Sequence, residues 1–199
     1  MCVTVSGKLS RLYDSATAAR EQALSEYPGS SIEIMDSRQA TSSEGMIALA
    51  GARAAAEGKK LQEVHEAAEK VRGKVTGIAF LDTLKHVYRS GRVPKFASTI
   101  GSKLSIKPVL TIAETVHLTA LVRSHKKGIE KLLDIMREKV DSRPVRAAVT
   151  HAYALEEALQ LKEQVSREFN CVEIWLSEFS PVMGYACGTG TVGLSFYEE

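Results

Sequence analysis

Aromatic residues are scarce in this chain of 199 residues: they make up 6% of it, and Trp175 is the single tryptophan. Platforms that stack nucleobases depend on such side chains, so we do not expect one here. The chain also lacks an excess of one sign of charge, because it has 26 Lys and Arg and 24 Asp and Glu. Phosphate binding along a nucleic acid needs a clustered surplus of cations. The composition therefore argues against a nucleic-acid-binding protein.

Cysteine and long apolar runs are scarce as well. The chain has three cysteines, Cys2, Cys171 and Cys187. Because this number is odd and they are far apart in the sequence, neither a disulfide framework nor a CxxC metal site is predicted. No apolar run reaches the length of about 18 residues that spans a membrane. The opening residues, M-C-V-T-V-S, lack the charged and apolar regions of a signal peptide. We therefore expect a reduced, cytoplasmic, globular protein.

The order of the predicted elements indicates an α/β fold. Predicted strands lie at 2–5, 31–35, 75–81, 106–112, 115–122, 144–150, 172–176 and 192–197, and predicted helices at 8–27, 43–57, 61–71, 82–90, 128–140 and 155–169. Their alternation is typical of the α/β class. Residues 1–73 fit parallel βα units, whereas residues 74–199 contain a hairpin and thus a mixed sheet. Two domains with a boundary after residue 73 are predicted.

A few expectations concern single positions in these elements. Leu155, Leu159, Leu161 and Val165 are predicted to face inward from their helix. Asp82 and Thr83 together are predicted to cap the helix that follows them. The glycine and proline at 91–94 predict a turn.

The first strand-to-helix turn, V-S-G-K-L-S at 5–10, is the most informative local feature. Backbone N–H groups at the start of a helix lack partners within it, and their dipoles favour an anion. Ser6 adds a hydroxyl donor, and Gly7 lets the backbone approach a ligand closely. A carboxylate or a phosphate fits such a turn. Alternatively, Ser6 or Ser10 only caps the helix, as serines commonly do.

Patterns that carry enzyme chemistry are weak. G-T-G-T-V-G at 188–193 matches the GxGxxG dinucleotide fingerprint, but too few residues follow it for the crossover helix that the motif requires. These glycines instead predict a tight loop before the last strand. There is no GxxxxGK[ST] loop, and the histidines show no metal-ligand spacing. Ser6, Cys187 and His151 remain candidates for a hydrolase or transferase, although no base is readable beside Ser6 and a structural role is favoured for His151.

Several segments resemble, in the same order, those of the DegV family. They are V-T-V-S-G-K-L-S at 3–10 with L-Y-D-S-A at 12–16, I-M-D-S-R at 34–38, D-T-L at 82–84, R-S-G-R at 89–92, I-K-P-V at 106–109 and the glycine-rich loop before the last strand. The first pair is similar to the family segment I-S-S-x-L-S-G-T-Y-x-S-A, and the second segment to its strand-ending V-x-D-S. The resemblance covers essentially the whole chain, and its specificity comes from the order and spacing of the motifs.

The resemblance implies a two-domain α/β fold that binds a long-chain fatty acid, of the palmitate or oleate class, between its domains. Such proteins are the binding subunit of a bacterial fatty-acid kinase and present the carboxylate to a separate ATP-using subunit. The chain would then be non-catalytic alone, without a cofactor or metal. Ser6 would donate its hydroxyl to the carboxylate and Gly7 its N–H, with Ser10 in the same turn. Arg92 would lie on the kinase-docking surface; alternatively, it is a helix-terminal cation facing solvent.

The chain departs from the family pattern at several positions. A further N-terminal strand–helix unit, with a Thr or Ser that also grips the carboxylate, is expected to be missing. Gly7 and Arg11 replace a Ser and a Gly, and Ala186 stands where the family has a His that helps to hold the head group. Because part of the donor set has changed, a regulatory or interaction module that has lost its lipid is the alternative to a fatty-acid carrier.

Overall fold

The structure is a computed structural model that describes residues 1–92 and 106–199. It divides into two compact units. Unit 1 comprises Met1–Val75 and Ala113–Thr115, and unit 2 comprises the described parts of Thr76–Ile112 together with Val116–Glu199. The sequence predicts one boundary after residue 73 and contains no signal for the return of 113–115 to unit 1, since a short turn has no periodicity.

Unit 1 is built from a parallel strand pair and the helices around it. Its elements are β1 (Cys2–Thr4), α1 (Leu12–Glu26), β2 (Ile34–Asp36), α2 (Thr41–Ala56) and α3 (Leu61–Arg72). β1 and β2 pair in a register that sets Thr4 opposite Asp36, so their carboxyl ends lie side by side. Helices α2 and α3 pack closely at Gly51. A Cβ built on this glycine would lie 3.5 Å from Val64 Cγ1 and 3.7 Å from Ala68 Cβ.

Unit 2 contains a six-stranded mixed sheet. Its elements are β3 (Thr76–Phe80), α4 (Lys85–Ser90), β4 (Lys107–Ile112), β5 (Val116–Val122), α5 (His125–Lys139), β6 (Val145–Ala152), α6 (Leu155–Glu168), β7 (Cys171–Glu178), α7 (Pro181–Cys187) and β8 (Thr191–Glu198). The strand order is β5-β4-β3-β8-β6-β7; β6 and β7 are parallel, and the other neighbours are antiparallel. Side chains from the sheet and from α5 and α6, among them Phe80, Leu132 and Leu194, form one buried apolar core.

The predicted α/β class, the parallel pair and the mixed sheet are confirmed. Two helices begin elsewhere than the periodicity indicates. Helix α1 begins at Leu12 rather than at residue 8, because the preceding residues form a hydrogen-bonded turn. Helix α5 begins at His125 rather than at Gly128, because the hydroxyl of Ser124 caps it by accepting from Lys127 N at 3.2 Å.

The prediction for the inward face of α6 is half confirmed. Leu161 and Val165 are buried as predicted, whereas Leu155 and Leu159 are 53% and 49% exposed, and Ala158 is buried in addition. Helix α7, which precedes the predicted loop at 188–193, was not predicted. Of the turn predicted at 91–94, residues 93 and 94 lie outside the described residues. Across 1–92 and 106–199, no helix combines the length and apolar character needed to cross a membrane.

Candidate functional site

The turn between β1 and α1 in unit 1 is the centre of the sequence-predicted site. Ser6 is fully buried there. Its backbone N–H donates to Gln39 O at 2.8 Å, and its hydroxyl donates to Glu114 O at 2.7 Å. The same hydroxyl oxygen accepts from Lys8 N at 3.2 Å. Ser6 therefore ties three separate stretches of unit 1 together, and its proton is directed at a backbone carbonyl.

The other backbone donors of this turn are also engaged within unit 1. Leu9 N and Ser10 N donate to Ser6 O at 2.9 and 3.0 Å. Gly7 N donates to Asp36 Oδ1 at 3.2 Å. The hydroxyl of Ser10 accepts from Leu12 N at 3.3 Å, a local bond just before α1, whose N-cap residue is Arg11 and has no side-chain cap. Each N–H from residue 6 to residue 10 thus has an acceptor, and a bound anion must share or replace one of them.

A carboxylate of the chain itself already occupies the turn. Asp36 ends β2, and its Oδ1 accepts from both Gly7 N, at 3.2 Å, and Arg38 N, at 2.8 Å. A Cβ on Gly7 would come to 3.2 Å from Asp36 Oδ2, closer than ordinary van der Waals contact. The absence of a side chain at Gly7 therefore lets the carboxylate lie directly against the backbone. The group held at this turn is thus a carboxylate of the chain itself.

The loop after β2 packs against this turn and holds a strained backbone. Arg38 and Thr41 have φ angles of 52° and 60°, in the left-handed region that a β-branched residue such as Thr41 rarely adopts. Ser37 and Gln39 are buried, and Ser37 Oγ donates to Gln39 O at 3.2 Å. Among the described residues, Gln39 Oε1 has no hydrogen-bond partner although it is buried. Sequence reasoning missed this loop; the D-S pair at 36–37, noted only as a family segment, is the signal that marks it.

Unit 2 contributes a charged cluster that was not predicted. Asp82 follows β3 and, contrary to expectation, does not cap α4: the N-cap residue is Leu84, without a side-chain cap, and Thr83 Oγ1 just before it accepts from Lys85 N at 3.2 Å. The Asp82 carboxylate instead pairs with Lys107 Nζ and hydrogen-bonds His125 Nε2 at 3.0 Å. The hydrogen bond from Lys107 is the main reason that the pKa of Asp82 lies below its ordinary value.

Two further contacts fix the imidazole of this cluster. The ring of Phe80 lies edge-on to His125 with ring centroids 5.2 Å apart. On its other side, His125 Nδ1 is 3.8 Å from Glu157 Oε1, which is too long for a hydrogen bond. Gly190, with φ of 79°, packs directly against the cluster: a Cβ built there would lie 3.1 Å from Asp82 Cβ. The glycine-rich segment thus forms, as predicted, a tight loop before β8.

The basic residues around α4 are exposed. Gly91 ends α4 in the left-handed conformation with φ of 72°. Arg92 follows it, and its Nη1 donates to Ser90 O at 2.6 Å. The guanidinium of Arg89 stacks over the Tyr185 ring on α7, 4.7 Å from its centroid. Arg92 therefore has both features in question: it binds a carbonyl at the end of a helix, and it is accessible from solvent.

Among the described residues, Ser6, Cys187 and His151 show no contact between a nucleophile and a base. Burial raises the pKa of Cys187 to about 11, so its thiol stays protonated at neutral pH. His151 is buried in β6, and its Nδ1 accepts from Ala154 N at 3.5 Å. The hydroxyl of Ser6 bonds only to backbone groups. A structural role fits all three side chains better than catalysis does.

Each unit also carries an open groove on its surface. The groove of unit 1, of about 710 Å³, is lined by polar and apolar residues of α1, α3 and the segment before β2. The groove of unit 2, of about 660 Å³, lies between α5 and α6 above Ile129 and Leu133. The lining of these two grooves does not include Ser6, Gly7, Ser10 or Arg92, so neither groove coincides with the site predicted from the sequence.

The fold and the turn together define a class: an α/β protein of two units in which a serine–glycine turn is built to hold a carboxylate. The chain belongs to the DegV family, since the model of that family matches residues 1–199. A DegV domain-containing protein of Clostridium acetobutylicum is 31% identical over 201 residues, which cover 100% of this chain and 70% of that protein. The family resemblance inferred from the order of short motifs is confirmed.

Two solved structures show the same fold. One is a DegV family protein from Thermus thermophilus for which fatty acid binding is described. It superposes with a TM-score of 0.86 at 28% identity, and the match covers 98% of this chain and 69% of that chain. The Fatty Acid Kinase (Fak) B3 protein of Streptococcus pneumoniae, loaded with linoleic acid, superposes with a TM-score of 0.89 at 23% identity, covering 98% and 70%. The predicted DegV-like fold is thereby confirmed.

Proposed function

We propose that this chain binds a long-chain fatty acid of the palmitate or oleate class, with the carboxylate at the turn formed by Ser6, Gly7 and Ser10. Family membership supports the proposal, as do the fatty acid binding described for the Thermus thermophilus relative and the linoleic acid in the Streptococcus pneumoniae neighbour. The proposed role is that of a carrier with no catalysis of its own.

One observation carries the proposal: the Gly7 amide already holds a carboxylate, that of Asp36, at 3.2 Å. A ligand carboxylate has the same charge and the same planar pair of acceptor oxygens. For the Ser6 hydroxyl to reach it, the hydroxyl must turn away from Glu114 O, with which it now bonds at 2.7 Å. A hydrogen bond to a charged acceptor is stronger than one to a neutral acceptor, which offsets the loss of Glu114 O as the partner of Ser6.

The acyl tail supplies most of the affinity in this proposal. Each CH₂ group removed from water contributes about 0.8 kcal/mol, so a sixteen-carbon tail contributes on the order of 10 kcal/mol. The head group then needs to add orientation rather than affinity. This division explains why a turn whose donors are already engaged can still serve as a head-group site.

The second half of the proposal is presentation of the carboxylate to a separate ATP-dependent kinase subunit. The name of the Streptococcus pneumoniae neighbour connects its fold with a fatty acid kinase. In this chain, the exposed Arg92 next to Gly91, with Arg89 close by, offers a cationic surface to such a partner. Because Arg92 also binds Ser90 O, its alternative role as a helix-terminal cation is compatible with docking.

The proposal is tested with delipidated protein in two assays. Native mass spectrometry after incubation with palmitate or oleate is expected to show added fatty-acid mass, and Arg92→Ala is expected to bind lipid as the wild type does. With a fatty-acid kinase catalytic subunit and ATP, Arg92→Ala is expected to form less acyl phosphate than the wild type. A folded chain that takes up neither fatty acid would overturn the proposal.

A second candidate, an interaction module of the same fold without lipid, is favoured by one observation. Every backbone N–H from residue 6 to residue 10 already has an acceptor within unit 1. This candidate predicts that folded protein captures a protein partner and adds no acyl mass. The same mass spectra therefore separate the two functions.

A further inference from the structure

The Asp36 carboxylate lies against the turn at 5–10, and among the described residues it forms no ion pair with a cation. Its Oδ1 accepts from two backbone amides, those of Gly7 and Arg38. The nearby Arg72 bonds the backbone oxygen of Asp36 at 2.8 Å, and its other contact is with Glu69. Within residues 1–92 and 106–199, no Lys, Arg or His side chain forms an ion pair with Asp36. A second carboxylate at the same amide would therefore be repelled by the charge of Asp36.

A ligand carboxylate cannot take the Gly7 amide while Asp36 keeps its present position. Asp36 Oδ1 accepts from the Gly7 N–H at 3.2 Å, and Oδ2 lies 3.2 Å from the position of a Gly7 Cβ. Asp36 ends β2 opposite Thr4 of β1, so its backbone is fixed by the strand pairing. Only rotation of its side chain can clear the amide.

We infer that Asp36 is a built-in competitor for the anion position at Gly7 and thereby sets the head-group selectivity of the turn. The inference rests on the proposed function and deepens it. An incoming carboxylate must displace the Asp36 side chain and tolerate its charge nearby. A neutral head group, such as the hydroxyl of a fatty alcohol, escapes the repulsion. Asp36 therefore weakens binding of the acid relative to the alcohol of equal chain length, which favours release of the anionic head group.

The competing explanation is that Asp36 only shapes the loop, as aspartates with a bond to the N–H two residues on often do. Asp36→Asn separates the two roles. The amide oxygen of Asn can accept from both Gly7 N and Arg38 N, so the loop keeps its hydrogen bonds while the charge is removed. The matched control is Asp14→Asn, which removes the same charge from an exposed pair with Arg11 on α1.

The test measures dissociation constants of palmitate and of 1-hexadecanol for the wild type, Asp36→Asn and Asp14→Asn, by displacement of a fluorescent fatty acid. Circular dichroism and thermal melting confirm that each variant is folded. We expect Asp36→Asn to bind palmitate about tenfold more tightly, the size of a charge-assisted contact at a partly exposed site. Binding of 1-hexadecanol is expected to stay within about twofold, as is binding of either ligand to Asp14→Asn.

The outcomes separate this inference from the proposed function. If the wild type binds palmitate and Asp36→Asn binds it equally or more weakly, Asp36 is no competitor, while the carrier function stands. If Asp36→Asn strengthens binding of both ligands alike, the effect does not come from charge and the inference falls. If no variant binds either ligand, the inference and the proposed function fall together. Tighter palmitate binding with unchanged alcohol binding supports both.

Discussion

Replacing Gly128 with alanine tests how tightly the core of unit 2 is packed. Gly128 lies in the first turns of α5 against β3, and a Cβ there would come to 2.3, 2.5 and 2.6 Å from three ring carbons of Phe80. Phe80 is fully buried, and its ring is further held by edge-on contact with His125. The ring cannot retreat without moving its neighbours.

Two opposing effects set the size of the change. Alanine is favoured over glycine in a helix by about 1 kcal/mol, whereas overpacking a filled core costs typically about 1–3 kcal/mol and occasionally more. With three contacts well inside van der Waals distance, the cost belongs at the upper end of that range. Gly128→Ala should therefore lower the free energy of unfolding of unit 2 by about 1–2 kcal/mol.

Urea unfolding followed by tryptophan fluorescence measures this change, because Trp175, on β7 of unit 2, is the only tryptophan. The matched control is Gly184→Ala in α7 of the same unit, where a Cβ would meet nothing within 4 Å. It should be neutral or stabilising by up to about 1 kcal/mol. In a Phe80→Leu background, Gly128→Ala should cost less, because the clashing ring is gone. A Gly128→Ala variant as stable as the wild type would refute the reasoning.

Three further predictions concern strain, reactivity and pH. Gly188→Ala should lower the thermal midpoint, since Gly188 has φ of 86° and a Cβ would lie 2.4 Å from the His86 ring; an unchanged midpoint would contradict this. Iodoacetamide at pH 7.5 should label the exposed Cys2 before Cys187, whose buried thiol has a pKa of about 11, and peptide mass spectrometry gives the order. Burial raises the pKa of Glu44 from 4.5 to about 7. Between these two pH values the folded state keeps a proton on Glu44 that the unfolded chain has released. The stability that Glu44 contributes to the folded state therefore falls as pH rises from about 4.5 to about 7. Urea titrations should show Glu44→Gln gaining stability relative to the wild type across that interval, and parallel curves would exclude the effect.

Local patterns predicted most of the elements because many of the strands and helices bury one face, as α3 and α5 do. The hairpin of β4 and β5 and the parallel pair of β1 and β2 are examples. Where the pattern misled, the cause is tertiary packing. Leu155 and Leu159 have the spacing of an inward stripe, yet α6 turns Ala158, Leu161 and Val165 to the core. Composition and spacing cannot tell which of two apolar stripes on one helix is buried.

The charged cluster of unit 2 lay beyond such patterns. Asp82, Lys107 and His125 come from three segments that meet only when β3, β4 and α5 pack together. In sequence, Asp82 beside Thr83 has the form of a helix cap, and a cap needs one local contact. In the structure the N-cap residue is Leu84, Thr83 makes the local bond to Lys85 N, and Asp82 makes the long-range pairing. A residue with two possible local roles cannot be assigned from its neighbours alone.

The turn at 5–10 shows the same limit of local patterns. Ser6 and Gly7 were predicted to suit an anion from local chemistry, and Asp36 was noted only as part of a motif. What joins them is the register of β1 and β2, which brings the end of one strand beside the end of the other. Gly7 replaces a serine of the family pattern, and the change does more than remove a hydroxyl. A Cβ at this position would come to 3.2 Å from Asp36 Oδ2, so the glycine leaves space for the carboxylate. The glycine admits a carboxylate to the backbone, and the first carboxylate within reach is the chain's own. Whatever anion this turn binds, its affinity must be measured against that of Asp36.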